Sequence, residues 1–286
     1  METSDITDPL FREAVDAIDN GNITLLQHLL ETNPQLITKR LDTPAEGYFK
    51  HPYLLWFVAD NPIRNEKLPA NIVEITSLLI SFARQYAKES FQDQINYTFG
   101  LVETGRVPRE CGVQIDLIDL LIDNGVGPGN GQGALAHGNI EAAKHIIEKS
   151  GTITLTAAVC LDRMDDVKRL LTEATIDEKQ VALMAGSFYG NPQMIKLLIN
   201  SGVDVNAYIK TGFFTHASPL HQAVYSGSLE AAKLLVESGA DLNATDKVYN
   251  GTPLGWAIYM QTEENEEEAK RKFAVIENYL RTIAQN

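Results

Sequence analysis

Apolar residues recur along this chain at helical spacing in short stretches. Each stretch opens on a polar residue after a glycine and closes on a glycine or asparagine. Residues 227–239 read Gly-Ser-Leu-Glu-Ala-Ala-Lys-Leu-Leu-Val-Glu-Ser-Gly, and residues 138–151, 190–202 and 21–33 follow the same scheme. Spacing of three and four places the apolar side chains on one helix face. The polar opening residue suits an N-cap, and the closing glycine suits a left-handed stop. A shorter helix precedes each stretch, marked by small residues: Ala223 and Val224 before Gly227, Gly186 and Ser187 before Gly190, Ala157 to Val159 before Asp162. Small residues let two helices approach closely, so the unit is a tight antiparallel pair. The pattern predicts about eight such pairs, with second helices starting near Asn22, Asn71, Gln114, Asn139, Arg163, Asn191, Ser228 and Glu264.

The clearest unit begins Ser218-Pro219-Leu220-His221 and ends Gly239-Ala240-Asp241-Leu242-Asn243-Ala244, and the next begins Thr252-Pro253-Leu254-Gly255-Trp256-Ala257. The two starts lie 252 − 218 = 34 positions apart, close to a repeat period of about 33. Ser218 to Ala223 and Thr252 to Ala257 each match TPLHxA with one change. Residues 239–244 and 202–207 match GADVNA. On these motifs the chain resembles the ankyrin-repeat family, which implies an all-α solenoid of about eight helix-turn-helix units over a single domain, 1–286. Within it, residues 179–286 are the most regular. Residues 48–112 read as irregular second and third repeats with an insertion, Asp60 to Ala70, and residues 1–7 are expected to lack order. Leu54 to Ala59 stands where a TPLHxAA segment belongs, and 84–110 is compatible with a long helix, an insertion or a loop. The segment order, with Leu-Leu-Trp-Phe-Val-Ala-Asp-Asn at 54–61 and Asn-Ile-Val-Glu-Ile at 71–75, is similar to a group of bacterial ankyrin proteins without assigned activity.

Charge narrows the partner. With 24 basic and 38 acidic residues the formal net charge is −14, which repels phosphate backbones and anionic lipid heads. No nucleic-acid or membrane partner is expected. Cys111 and Cys160 are the two cysteines and match no metal-ligand or redox spacing. That sparse usage, with a polar, acidic N-terminus and no long apolar run, points to a cytoplasmic location.

Motifs for catalysis are missing: no GxSxG, HExxH, phosphate-loop or EF-hand signature occurs, so no catalytic residue, metal or cofactor is assigned. The glycine-rich run 125–133 lacks the Lys-Ser/Thr ending of a phosphate cradle and follows a helix, so it reads as a flexible finger loop. His137 and His145 lack a third ligand for zinc. Asp162, Asp165 and Asp166 suit a helix start better than calcium. His221, at the His of TPLH, is expected to bond backbone. His51, Trp56, Asp60, Arg64, Glu66 and Lys67 could line a pocket, but without catalytic spacing.

In the family the partner usually lies on the concave side, among finger turns and the outer positions of the first helices. The resemblance implies that Phe188-Tyr189, Tyr225 and Tyr259 face that side. They adjoin a finger four residues longer than standard, containing Tyr208, Phe213 and Phe214, and a second finger with Lys247 and Tyr249. Large rigid aromatics suit a binding surface. The expected partner is a protein or peptide, with the chain a monomer or weak dimer. Other readings are aromatics folded back over helix ends or packed between two copies, an immunity-type inhibitor of an enzyme, and an enzyme with its pocket in 48–112.

Overall fold

The computed structural model describes residues 5–42 and 47–285. Among them every regular element is helical, as the periodicity predicts. The chain divides into two compact units, Met1–Gly151 and Thr152–Asn286, where the sequence pattern suggests one domain.

In the first unit, α1 (Pro9–Asp19) and α2 (Ile23–Thr32) form a pair, followed by a single turn, α3 (Gln35–Thr38). Asp8 caps α1 by accepting the Leu10 and Phe11 N–H groups, and Asn22 caps α2. Ile6 is fully buried, so the lack of order expected over 1–7 does not extend to it, while residues 1–4 lie outside the described residues. Leu54–Ala59, the atypical first half of the second pair, is a 3-10 helix whose six side chains are all buried. It packs on α1 and on α4 (Ile72–Tyr86). A segment this apolar on every side suits burial all round, not a half-exposed amphipathic helix. The sequence left 84–110 open; it forms α5 (Phe91–Thr104) and the short α6 (Arg106–Glu110). The α5 helix is the first member of the third pair and packs on both the 3-10 helix and α7 (Gln114–Asp123). The pair α8 (Gln132–Ala136) and α9 (Ile140–Ser150) closes the unit.

The second unit repeats a cleaner version of the hairpin. Its pairs are α10 (Leu155–Cys160) with α11 (Met164–Leu171), α12 (Ile176–Phe188) with α13 (Pro192–Asn200), α14 (Pro219–Tyr225) with α15 (Leu229–Glu237), and α16 (Pro253–Glu263) with α17 (Glu267–Ala284). First helices stack on first helices, α10 on α12 on α14 on α16, while α13, α15 and α17 stack in the same order. One hairpin cannot bury its own apolar stripe, so each shares its seam with a neighbour. Leu183, Met194, Ile195, Leu198, Leu220 and Leu235 form part of one such seam, and Val224, Ala257, Ile276 and Leu280 the next. The small residues are where the close approach occurs: a side chain at Gly186 would begin 3.2 Å from Val159.

Local chemistry sets the hairpin ends. Thr175 and Glu178 form a reciprocal capping box on α12, and Asn191 and Ser228 cap α13 and α15. Pro192, Pro219 and Pro253 sit in the first helical turn, where no N–H is required. The turn inside a pair needs a left-handed residue, supplied by Gly190 and Gly227 at φ +60° and +71°. Asp162 takes the same place at φ +54° and accepts a hydrogen bond from Asn191. No helix among the described residues is long and apolar enough to cross a membrane.

Candidate functional site

In the second unit the turns before α14 and α16 form two fingers. The second is organised by Asp246, only 2% exposed. Its carboxylate accepts the N–H groups of Val248 at 2.9 Å, Tyr249 at 2.7 Å and Gly251 at 2.8 Å, and the indole N–H of Trp256 at 3.0 Å. These donors offset the cost of burying the charge and hold its pKa down at about 2. One carboxylate therefore fixes both the finger backbone and the Trp256 ring. His221 ties the two fingers together as expected. Its Nδ1 faces the Ser218 N–H and hydroxyl, and its Nε2–H donates to the Gly251 carbonyl at 3.0 Å. Burial shifts the imidazole toward its neutral form.

Between the fingers and the first helices lies a groove of about 560 Å³. Phe214, Tyr225, Tyr249 and Tyr259, four of the residues singled out in the sequence, line it, and Trp256, His216, Gln222 and Met260 complete its walls. Gly255 also borders it: where the preceding hairpin carries His221, this position contributes no side chain. Tyr249 is 80% exposed, and Tyr225 and Tyr259 are exposed as well. Phe188 sits partly buried at one end, stacked on Tyr225 with ring centroids 5.7 Å apart and 4.6 Å from Phe214.

Four residues assigned from the sequence need amendment. Phe213 is not a surface residue; at 2% exposure it is a plug that holds the long finger down beside buried Ile209. The bends over 210–213, with Gly212 left-handed at φ +98°, turn Phe213 under the finger, while its neighbour Phe214 borders the groove. Tyr189 is half-buried in the neighbourhood of Cys160, and burial pushes its phenol pKa up. Tyr208 and Lys247 bind each other: the ammonium lies 4.6 Å from the ring centroid, and the Tyr208 hydroxyl donates to the Thr245 carbonyl. They brace one finger on the other, as does the Lys247 N–H donating to the His216 carbonyl at 2.7 Å.

Sequence reasoning missed Trp256 and Gln222. Both occupy the variable position of TPLHxA, 256 − 222 = 34 residues apart, and both line the groove. The signal was legible as a repeated position carrying a large or polar residue between invariant structural ones.

The first unit holds a separate cavity of about 500 Å³ bordered by Arg40, Tyr48, Lys50, Trp56 and Tyr97. Trp56 stacks on Tyr97 at 3.9 Å, and Arg40 lies over Tyr53 and Trp56. Asp60 and Arg64, also considered for a 48–112 pocket, are tied into the fold. Asp60, at a left-handed φ of +43°, accepts the N–H groups of Arg64, Asn65 and Glu66, and Arg64 pairs with Asp19 at 2.8 Å. The two histidines considered for zinc have other partners, His137 bonding the Gly133 carbonyl and His145 pairing with Asp119. Asp166 is held by Arg163 and Arg169. No cluster of metal-ligating side chains occurs among the described residues.

Comparison with known families gives one result. The family model described as ankyrin repeats (3 copies) matches residues 155–246 and 183–267. No curated protein matches the chain. The match spans α10 to α16 and both fingers, ending at the start of α17, and ankyrin repeats are generally protein–protein interaction modules. Residues 155–267 therefore carry ankyrin repeats, as their motifs imply.

Proposed function

We propose that this protein binds a protein or peptide partner in the aromatic groove of its second unit and catalyses no reaction. The observation that carries this reading is the exposure of Tyr225, Tyr249 and Tyr259 around one groove. The hairpins do not need them. Caps, left-handed turns and the finger brace are supplied by Ser228, Gly227, His221 and Asp246, and the core by smaller aliphatic side chains. Aromatic rings that stability does not require, gathered around a concavity between ordered loops, suit a binding surface. The irregular first half of the chain offers no competing catalytic constellation, since its buried acid and base, Asp60 and Arg64, are engaged with backbone and with Asp19.

The test is affinity capture with the whole chain, beside a variant carrying Tyr225→Ala, Tyr249→Ala and Tyr259→Ala. A captured partner should be lost from the variant while the melting temperature moves by no more than a few degrees. Retention of every partner by the folded variant would remove the groove from consideration.

A further inference from the structure

The groove's chemistry narrows its occupant. One of the rings that line it donates to a carboxylate, the Trp256 indole N–H to Asp246 at 3.0 Å. That bond polarises the indole and raises the electron density of its π face, with the carboxylate held at the ring's edge. Tyr225 stands at a steep angle to Trp256, with centroids 6.4 Å apart and planes inclined by 72°, so the faces make two walls of a corner. The nearby cation is turned elsewhere, since the Lys247 ammonium lies over Tyr208.

A second observation is independent of the rings. Gln222 borders the groove and is only 1% exposed, yet its side-chain amide makes no hydrogen bond among the described residues. An amide that opens onto an otherwise apolar floor, without a partner in the protein, marks a place for a ligand's polar group.

We infer that the groove receives a guanidinium group, the arginine side chain of a basic segment on the partner; this rests on the groove being the binding site. A guanidinium is planar, weakly hydrated and stacks on aromatic faces, and its N–H groups can donate to the Gln222 carbonyl oxygen. A lysine ammonium is more strongly hydrated and would lose that water against rings with a single neutral acceptor. A trimethylated ammonium would suit the rings but has no N–H to give, leaving Gln222 unsatisfied. The chain's net charge of −14 favours approach of a basic segment.

The experiment titrates the whole chain with four capped pentapeptides of glycine and serine, whose central residue is arginine, citrulline, lysine or trimethyllysine. The NMR signals of the Trp56 and Trp256 indole N–H groups are followed, and Trp256→Phe assigns them. The arginine peptide should move the Trp256 signal alone, binding ~tenfold or more tightly than its neutral citrulline isostere. Gln222→Met should erase most of the margin of arginine over trimethyllysine. Equal binding of citrulline, tighter binding of lysine or trimethyllysine, or no movement at Trp256 would overturn the guanidinium assignment. If partner capture still depended on Tyr225, Tyr249 and Tyr259 after such a result, the groove would stand as the binding site and only its occupant would change. If capture did not depend on them, the binding site itself would fall.

Discussion

Replacing Asp246 by asparagine tests how the second finger is built. The carboxylate accepts three backbone N–H groups and the Trp256 indole N–H. An asparagine keeps one oxygen but turns an NH2 group toward donors, so two of the four bonds are lost and both of those contacts become donor against donor. The cost follows from linkage. The group's ordinary pKa is 3.8 and the folded value is about 2. At about 1.4 kcal/mol per pH unit, the ionised form contributes roughly 2 kcal/mol to stability at neutral pH. Asp246 is inaccessible but shallow, in a surface finger, so water just beyond it screens part of the charge and that figure is an upper bound. Because the folded pKa is depressed, the contribution is present above about pH 4 and is lost as pH falls through about 2. Denaturant titration of wild type and Asp246→Asn at pH 7, followed by tryptophan fluorescence, should show a loss of 1–2 kcal/mol (order of magnitude) in the transition that reports Trp256. The difference between the two proteins should shrink toward zero near pH 2. A loss under about 0.5 kcal/mol at pH 7, or a difference that does not change with pH, would show that the finger does not depend on the charge.

Phe213→Ala should cost about 3–5 kcal/mol in denaturant titration, as an emptied core site does, whereas Tyr249→Ala should stay within about 0.5 kcal/mol of wild type. Glu103 is largely buried and its carboxyl is pushed up to about 7 by desolvation. A carboxyl whose folded pKa lies above its unfolded value opposes folding once ionised, so its penalty grows between about pH 4.5 and 7 and reaches ~3 kcal/mol at most. Glu103→Gln should flatten that part of the stability-versus-pH curve, and an unchanged slope would contradict the assignment. Thiol labelling of the native protein with an aromatic disulfide should modify exposed Cys111 quickly. Cys160 is buried, and burial pushes its thiol pKa far up, so it should react only on unfolding.

The second helices were the most legible part of the sequence because they satisfy several local rules at once. Asn22, Asn71, Gln114, Asn139, Arg163, Asn191 and Ser228 all stand at or within one residue of the helix starts seen. The last start, expected near Glu264, comes at Glu267, because Glu264 still ends the turn after α16. The segment 84–110 resisted reading because α5 carries a polar N-terminal half, Gln92 to Asn96, and buries Gln94 and Thr98 through hydrogen bonds to Ile37 and to its own backbone. Polar residues inside a core break the apolar rhythm without breaking the helix. In the groove, periodicity indicated which positions face outward, but not that Phe213 turns inward in a loop of irregular length. Trp256 escaped notice for a related reason: a lone tryptophan in a helix reads as core until its indole N–H is seen to be held by a loop ten residues earlier.

The long finger carries adjacent rings with opposite destinations, Phe213 inward and Phe214 outward. The bends over 210–213 and the left-handed Gly212 set that assignment, not side-chain packing of the helix pairs. One residue gained or lost between buried Ile209 and Phe213 would shift both rings relative to those bends and present a different side chain to any visitor. The helix pairs on either side would keep their seams. Recognition in such a protein can thus change through loop-length variation, a kind of mutation that leaves the scaffold's own stability nearly untouched.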